Sequence, residues 1–143
     1  MSRIKIELPS HFSFQCAITI RITDLNYGGH VGNDTILSLV HKARQQYLQH
    51  LGYTEMDFDG AGMIMADAAI EFKSELFRGE VVTISVAAGN ISKVGFDLYY
   101  KLEKQAEGAT KTVALVKTGM ICYDYERKKI MPITEAARKK LTE

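Results

Sequence analysis

Asp24-Leu25-Asn26-Tyr27-Gly28-Gly29-His30-Val31-Gly32 is a polar stretch with three glycines that separates two strongly patterned segments. Before it, Phe12, Phe14, Cys16, Ile18, Ile20 and Ile22 alternate with Ser13, Gln15, Thr19 and Arg21. That period of two is the mark of a β-strand. After it, Ile36, Leu39, Val40, Ala43, Tyr47 and Leu51 recur mainly at steps of three and four, the period of a helix. Asn33 is placed to cap that helix, Asp34 and Thr35 fill its first turn, and Gly52 is a natural stop. Leu37 and Leu48 widen the apolar face to about half the circumference, against the ~100° stripe of a surface helix. The helix is therefore expected to be largely buried, wrapped by a sheet.

Beyond a connection rich in Gly and Asp come four further strand-like runs: Met63 to Phe72, Glu80 to Ala88, Val94 to Glu103 and Thr112 to Tyr123. Gly89-Asn90 and the stretch from Gln105 to Ala109 supply turns between the last three, which predicts an antiparallel meander. Phe96, Leu98, Tyr100 and Leu102 share one face, with Asp97 and Lys101 opposite. In the last run both faces are apolar: Val113, Leu115 and Ile121 against Ala114, Val116, Met120 and Cys122. Such a strand is either central or covered by a partner subunit. Thr134 to Leu141 reads as a short terminal helix. The predicted class is α+β, one long central helix on a five-stranded antiparallel sheet.

With 143 residues, 46% hydrophobic and 24% charged, the chain has the balance of a globular protein, and residues 1–143 are read as one domain. A net charge of +1 is too near neutral for the field of a general nucleic-acid binder. No apolar run approaches the roughly 20 residues of a membrane-spanning helix. Met1 to Ser10 lacks the apolar stretch of a signal peptide, so Cys16 and Cys122 read as reduced thiols in a cytoplasmic protein.

One buried helix in an antiparallel sheet, entered through a Gly-rich loop, resembles the hot-dog fold. Ile20 to Asn33 is similar to the signature of the acyl-CoA thioesterases related to 4-hydroxybenzoyl-CoA thioesterase. In that family the loop reads approximately Asp-x-x-Gly-His-Val-Asn-Asn and opens the central helix. Ala69-Ile70-Glu71-Phe72, with Phe77-Arg78-Gly79-Glu80, resembles the family's second strand and its Gly-Asp turn. Ile91-Ser92-Lys93-Val94-Gly95-Phe96 resembles the turn whose Ser-containing segment lies near the coenzyme. The resemblance runs from Phe14 to Leu141 and implies hydrolysis of an acyl thioester, carried by coenzyme A or an acyl carrier protein, without metal or organic cofactor. It also implies a homo-oligomer, dimer or tetramer, with the site at the subunit interface.

Counting back from Gly29-His30, the family's catalytic Asp falls at Asn26. An amide has no charged oxygen to act as nucleophile or base. The carboxylate is then sought at Asp24 or Asp34 in this region, or at Asp67 or Glu71 on the next strand, with Asn26 orienting the thioester or the attacking water. The N–H groups of Gly28, Gly29, His30 and Val31, with Asn33 capping close by, are placed to hold the carbonyl oxygen as charge develops on it. His30 is either a base or a structural part of the loop. Asp67 and Glu71, four apart on a strand, point the same way; the opposite row of Ala66, Ala68, Ile70 and Phe72 should face the helix. Arg44, Lys73, Arg78 and Lys93 are candidates for the coenzyme's phosphates, and Arg78, Ser92 and Lys93 are assigned to coenzyme binding through the matching turns. Met63, Met65 and Met120 line an acyl tunnel or fill the core. His11, His41 and His50 lack neighbours at metal-ligand spacing.

Two other readings compete. A hot-dog hydratase uses Asp-x-Asn-Pro-x-His; here Asp24-Leu25-Asn26 begins similarly, but Pro is absent and His30 comes six positions after Asp24. A thioester-binding protein without catalysis is the other reading, and Asn26 is the feature that supports it.

Overall fold

The computed structural model describes residues 2–143. The chain runs β1 (Phe14–Thr19), a 3-10 turn (Ile22–Asp24), α1 (Asn33–Leu51), β2 (Gly62–Phe72), β3 (Val81–Gly89), β4 (Gly95–Ala106), β5 (Ala109–Asp124), β6 (Lys129–Ile130) and α2 (Glu135–Thr142). All strand pairs are antiparallel, in the order β1-β3-β4-β5-β2, and β6 pairs with the end of β5. The expected α+β class holds. The sheet has six strands rather than five, because the chain folds back at the exposed Arg127-Lys128 tip and adds two residues beside Tyr123 and Asp124.

Helix α1 buries Ile36, Leu39, Val40, Ala43, Tyr47 and Leu48 against Val82, Ile84, Val86, Leu98, Tyr100, Leu102 and Val116 of the sheet. Each large apolar side chain so buried contributes about 1.5–3 kcal/mol. The helix ends where Gly52 turns left-handed at φ +92° and its N–H caps Gln49 and Leu48. Its start differs from the expectation: Gly32, extended at φ −69°, is the N-cap, and Asn33 is the first helical residue. The first strand is also shorter than expected, because Asp24 draws Ile22 to Asp24 into a 3-10 turn.

Strand β5 lies between β4 and β2, the central alternative for a strand apolar on both faces. At the other end of the β4–β5 hairpin, Glu107 (φ +52°) and Gly108 (φ +77°) make a two-residue turn. Strand β2 is an edge. Ala68, Ile70 and Phe72 sit opposite Thr118, Val116 and Ala114 and so share the helix face, yet Ala68 and Phe72 are exposed. The predicted apolar row is therefore on the right face but partly uncovered, since β2 is the edge of the sheet, beside α1 rather than under it. Ala66 leaves the row altogether, because a bulge between Met65 and Asp67 puts Met65 on the helix side opposite Met120. Among the described residues no helix is long and apolar enough to cross a membrane.

Candidate active site

The loop before α1 closes on itself. Asn26 N–H donates to His30 O at 2.9 Å, and Gly29 N–H to Asn26 O at 3.1 Å. The Gly28 N–H donates to Asn26 Oδ1 at 2.9 Å. Val31 N–H donates to Leu76 O at 2.9 Å, pinning the turn to the segment that leads into β3. Three of the four N–H groups expected to hold an oxyanion are thus engaged within the protein: those of Gly28, Gly29 and Val31. The His30 N–H has no acceptor among the described residues; in the first turn of α1 the Thr35 N–H donates to Gly32 O at 3.1 Å.

Two glycines make room for the side chains around them. A Cβ on Gly28 would stand 3.2 Å from Asn26 Oδ1 and 3.5 Å from His30 Nε2. A Cβ on Gly32 would stand 2.7 Å from Asp34 Oδ1 and 3.7 Å from Asn26 Nδ2. Asn26, His30 and Asp34 therefore meet at the N-terminus of α1, where the helix dipole favours negative charge. His30 Nδ1 lies 3.2 Å from Val31 O, an acceptor, so we assign a proton to Nδ1. Its Nε2 then faces Glu75 Oε1 at 3.8 Å. Beside this group opens a cavity of about 250 Å³ lined by His30, Asn33, Ile36, Phe72, Lys73 and Glu75, among others.

The four expected carboxylates are in very different surroundings. Asp24 is buried and accepts the Arg21 N–H at 2.8 Å with Oδ2, and Arg21 Nη2 lies 3.3 Å from Oδ1. Burial pushes its pKa up, but the Arg21 hydrogen bonds and charge outweigh that and leave it lowered. Asp67 accepts from Lys117 Nζ at 2.8 Å and Gly119 N–H at 3.1 Å, and the Lys117 bond chiefly lowers its pKa. Glu71 is held by the Ile6 N–H, the chief cause of its lowered pKa, and by Lys73 Nζ at 3.0 Å. Opposite Gly119 and Leu115, Asp67 and Glu71 lie on the sheet face away from α1. Only Asp34 shares the loop cluster.

Of the cationic candidates, Arg44 is a correction. It is buried, bonded through Nε to Glu55 Oε1 at 2.9 Å and through Nη1 to Tyr100 Oη at 3.3 Å, so it is not a surface phosphate contact. Arg78 is exposed next to Phe77, which bridges to His30. Ser92 and Lys93 are exposed in the β3–β4 turn; Ser92 lines a different cavity of about 230 Å³ that also includes Asp67. Asp67 is five residues along β2 from Phe72, roughly 17 Å. One chain does not bring Ser92 and Asp67 to the loop. Met63 and Met120 are core, whereas Met65 is 46% exposed at the helix–β2 margin.

Two residues that neighbour the loop and its cavity carry little signal in the sequence. Glu75 has its only sequence signal in standing two residues before the Phe77-Arg78-Gly79 turn. Lys104 continues the buried row of Phe96, Leu98, Tyr100 and Leu102, an unusual place for a lysine. Its Nζ donates to Glu75 O at 2.7 Å and Glu80 Oε1 at 3.0 Å, and it lies 5.2 Å from the centre of the Phe77 ring. It ties the cavity's outer wall to the sheet.

The model of the thioesterase-like superfamily matches residues 20–141. The fold is similar to that of a thioesterase superfamily structure from Jannaschia sp. CCS1, at 18% identity and TM-score 0.80, covering 94% of this chain and 84% of that one. It is similar to a 1,4-dihydroxy-2-naphthoyl-CoA thioesterase from Synechocystis, at 16% identity and TM-score 0.80, covering 91% and 96%. A thioesterase from Thermus thermophilus complexed with coenzyme A and Zn matches at 19% identity and TM-score 0.78, covering 93% and 100%. No curated protein matches.

Proposed function

Because the chain belongs to the thioesterase-like superfamily, we propose that it hydrolyses an acyl-CoA to the free acid and coenzyme A, through the cavity beside the Asn26–Gly32 loop. Thioester hydrolysis is the function that family and fold both support. The observation that carries the site is the meeting of Asn26, His30 and Asp34 at the start of α1, with Glu75 across the cavity.

In this reading the thioester carbonyl accepts from the free His30 N–H and from the N–H groups of the exposed residues Asn33 and Asp34 at the start of α1, where developing negative charge is stabilised. Asp34 is the carboxylate that activates water, and the Asn26 Nδ2, beside Asp34, orients the reactants. Water adds to the carbonyl carbon and its proton passes to the base. The tetrahedral intermediate then collapses, the C–S bond breaks, and the thiolate takes up a proton as coenzyme A leaves. Arg78 lies where it can meet the coenzyme's phosphates.

We further infer a homodimer built on the β2 edge. No strand of the chain pairs with that edge, which exposes Met65 and Phe72 at 46% and 51%, the profile of a strand awaiting a partner. Pairing there would bring Asp67, Ser92 and Lys93 of one subunit toward the loop of the other. The decisive experiment is thiol release from a panel of acyl-CoAs and acyl carrier protein thioesters. Release from none of them would leave the binding-protein reading, and a change in enoyl absorbance without thiol would favour hydration.

A further inference from the structure

Two separate cavities open on the side where α1 faces the β2 edge, the first of them beside His30. Phe72 lines that first cavity, and Met65, on the same helix-facing side of β2, lines the second, of about 230 Å³, with Leu37, Ser38, His41 and Arg44. Ala68 and Ile70 share this side of β2 between them, and neither is buried. Along α1, Asp34, Leu37, Ser38, His41 and Arg44 follow steps of three and four, so they form one stripe leading from the loop to the far end. From Asn33 to Arg44 this stripe is roughly 16 Å long. The Arg44 side chain leans back toward the helix start, as helical side chains do.

Arg44 closes the far end, and its guanidinium is fixed. Nε is held by Glu55 at 2.9 Å and Nη1 by Tyr100 Oη at 3.3 Å; that hydroxyl in turn shares a hydrogen with Thr118 Oγ1 at 2.8 Å. Tyr100 and Thr118 are fully buried. Nη2 has no acceptor among the described residues, although Arg44 is 6% exposed and lines the cavity. A planar cation held by two bonds with unused N–H donors is a preorganised hydrogen-bond donor. The charges around it decide what it accepts. Glu55 Oε1, 2.9 Å from Nε, balances the Arg44 charge, so little net positive charge is left for an anion.

Resting on the thioesterase reading, we propose that Arg44 Nη2 is a specificity-determining donor that selects acyl groups bearing an uncharged oxygen, a hydroxyl or carbonyl, on the order of 10 Å from the thioester. A plain alkyl chain would leave those N–H groups stripped of water and unpaired, which is the costly outcome.

The test uses thioethers that cannot be hydrolysed, S-decyl-CoA and S-(ω-hydroxydecyl)-CoA, with binding followed by calorimetry on the full chain. The hydroxylated ligand is expected to bind at least fivefold more tightly. In the paired variant Arg44→Met with Glu55→Gln, which leaves no buried charge unpaired, that preference should vanish while affinity for S-decyl-CoA stays within twofold. Ser38 is exposed on α1, so Ser38→Met should fold; it should weaken both ligands fivefold or more and leave S-ethyl-CoA unchanged. Equal wild-type affinities, no binding of either ligand, or a preference that survives the paired variant would overturn the proposal. Because binding is read without turnover, failure of acyl-CoA hydrolysis would count against the proposed function separately.

Discussion

The side-chain oxygen of Asn26 accepts the Gly28 N–H at 2.9 Å, while its Nδ2 lies toward Gly32 and Asp34. One end of the amide therefore holds the turn and the other faces the reaction space. A carboxylate in this place would bring two like charges together beside Asp34, raising the pKa of one of them. Asn26→Ala is expected to lower turnover at least tenfold, about 1.4 kcal/mol of barrier, with the fold retained. Unchanged kinetics in a folded variant would remove Asn26 from the site.

Of the four carboxylates, three are committed to other partners and Asp34 alone stands beside Asn26. Asp34→Asn should reduce kcat by about a hundredfold, the usual scale of a lost general base. Asp67→Asn and Glu71→Gln should have smaller effects. Full activity in Asp34→Asn would move the role to another carboxylate, either Glu75 across the cavity or one from a second subunit.

What was legible in the sequence was whatever repeats. The alternation from Phe14 to Ile20, the steps from Ile36 to Tyr47 and the row from Phe96 to Leu102 are periodic, and each takes the burial expected of it. The loop was legible through its glycines and the motif around His30. Contacts between distant segments were not. The bonding of Val31 to Leu76, and of Lys104 to Glu75 and Glu80, joins residues 24 to 45 positions apart, and no local pattern records them. Arg44 misled for a related reason: it lies on the helix margin in sequence, but Glu55 and Tyr100 supply the partners that make its burial possible.

Lys104 offers a test of how the cavity wall is held. Lys104→Met keeps the stem that packs beside Phe77 and removes the donor to Glu75 O and Glu80 Oε1. Stability should fall by about 1–3 kcal/mol, since a half-buried carbonyl and the Glu80 carboxylate both lose their partner. The Michaelis constant should rise more than kcat falls, because the lysine touches the wall and not the reacting atoms. A variant of unchanged stability and kinetics would show that the wall is held by the β3 turn alone.

The loop's acid sensitivity follows from Asp24. Its folded-state pKa is lowered, so its contribution is present above the ordinary Asp value of 3.8 and is lost as pH falls through the folded value. Asp67 and Glu71 are lowered too and act in the same direction. Asp24→Ala should cost about 1 kcal/mol near neutral pH, as for a lost cap, and the penalty should shrink below about pH 4. Urea midpoints of the two proteins from pH 7 to 3 provide the check. A gap that stays constant or widens on acidification would contradict the Arg21–Asp24 account.

The last prediction concerns the edge of the sheet. Strand β2 has no strand partner on its outer side, where Tyr125 Oη donates to Met63 O, and Met65, Ala66, Ala68 and Phe72 are exposed along it. A long, weakly charged edge of this kind is normally covered, and a two-fold pairing closes it with a second copy. Asp67, in the middle of β2, is already tied to Lys117 on its own chain, so it need not repel its counterpart. Ala68→Pro should break the pairing, since proline removes a ladder donor and is poorly accepted within a paired strand. Light scattering at micromolar concentration should give twice the monomer mass or more for the natural chain, and a shift toward monomer with at least tenfold lower activity for the variant. A natural chain that is monomeric and fully active would refute both the dimer and the shared site. A variant that stays dimeric would move the interface away from β2, to the half-buried outer face around Leu115 and Ile121.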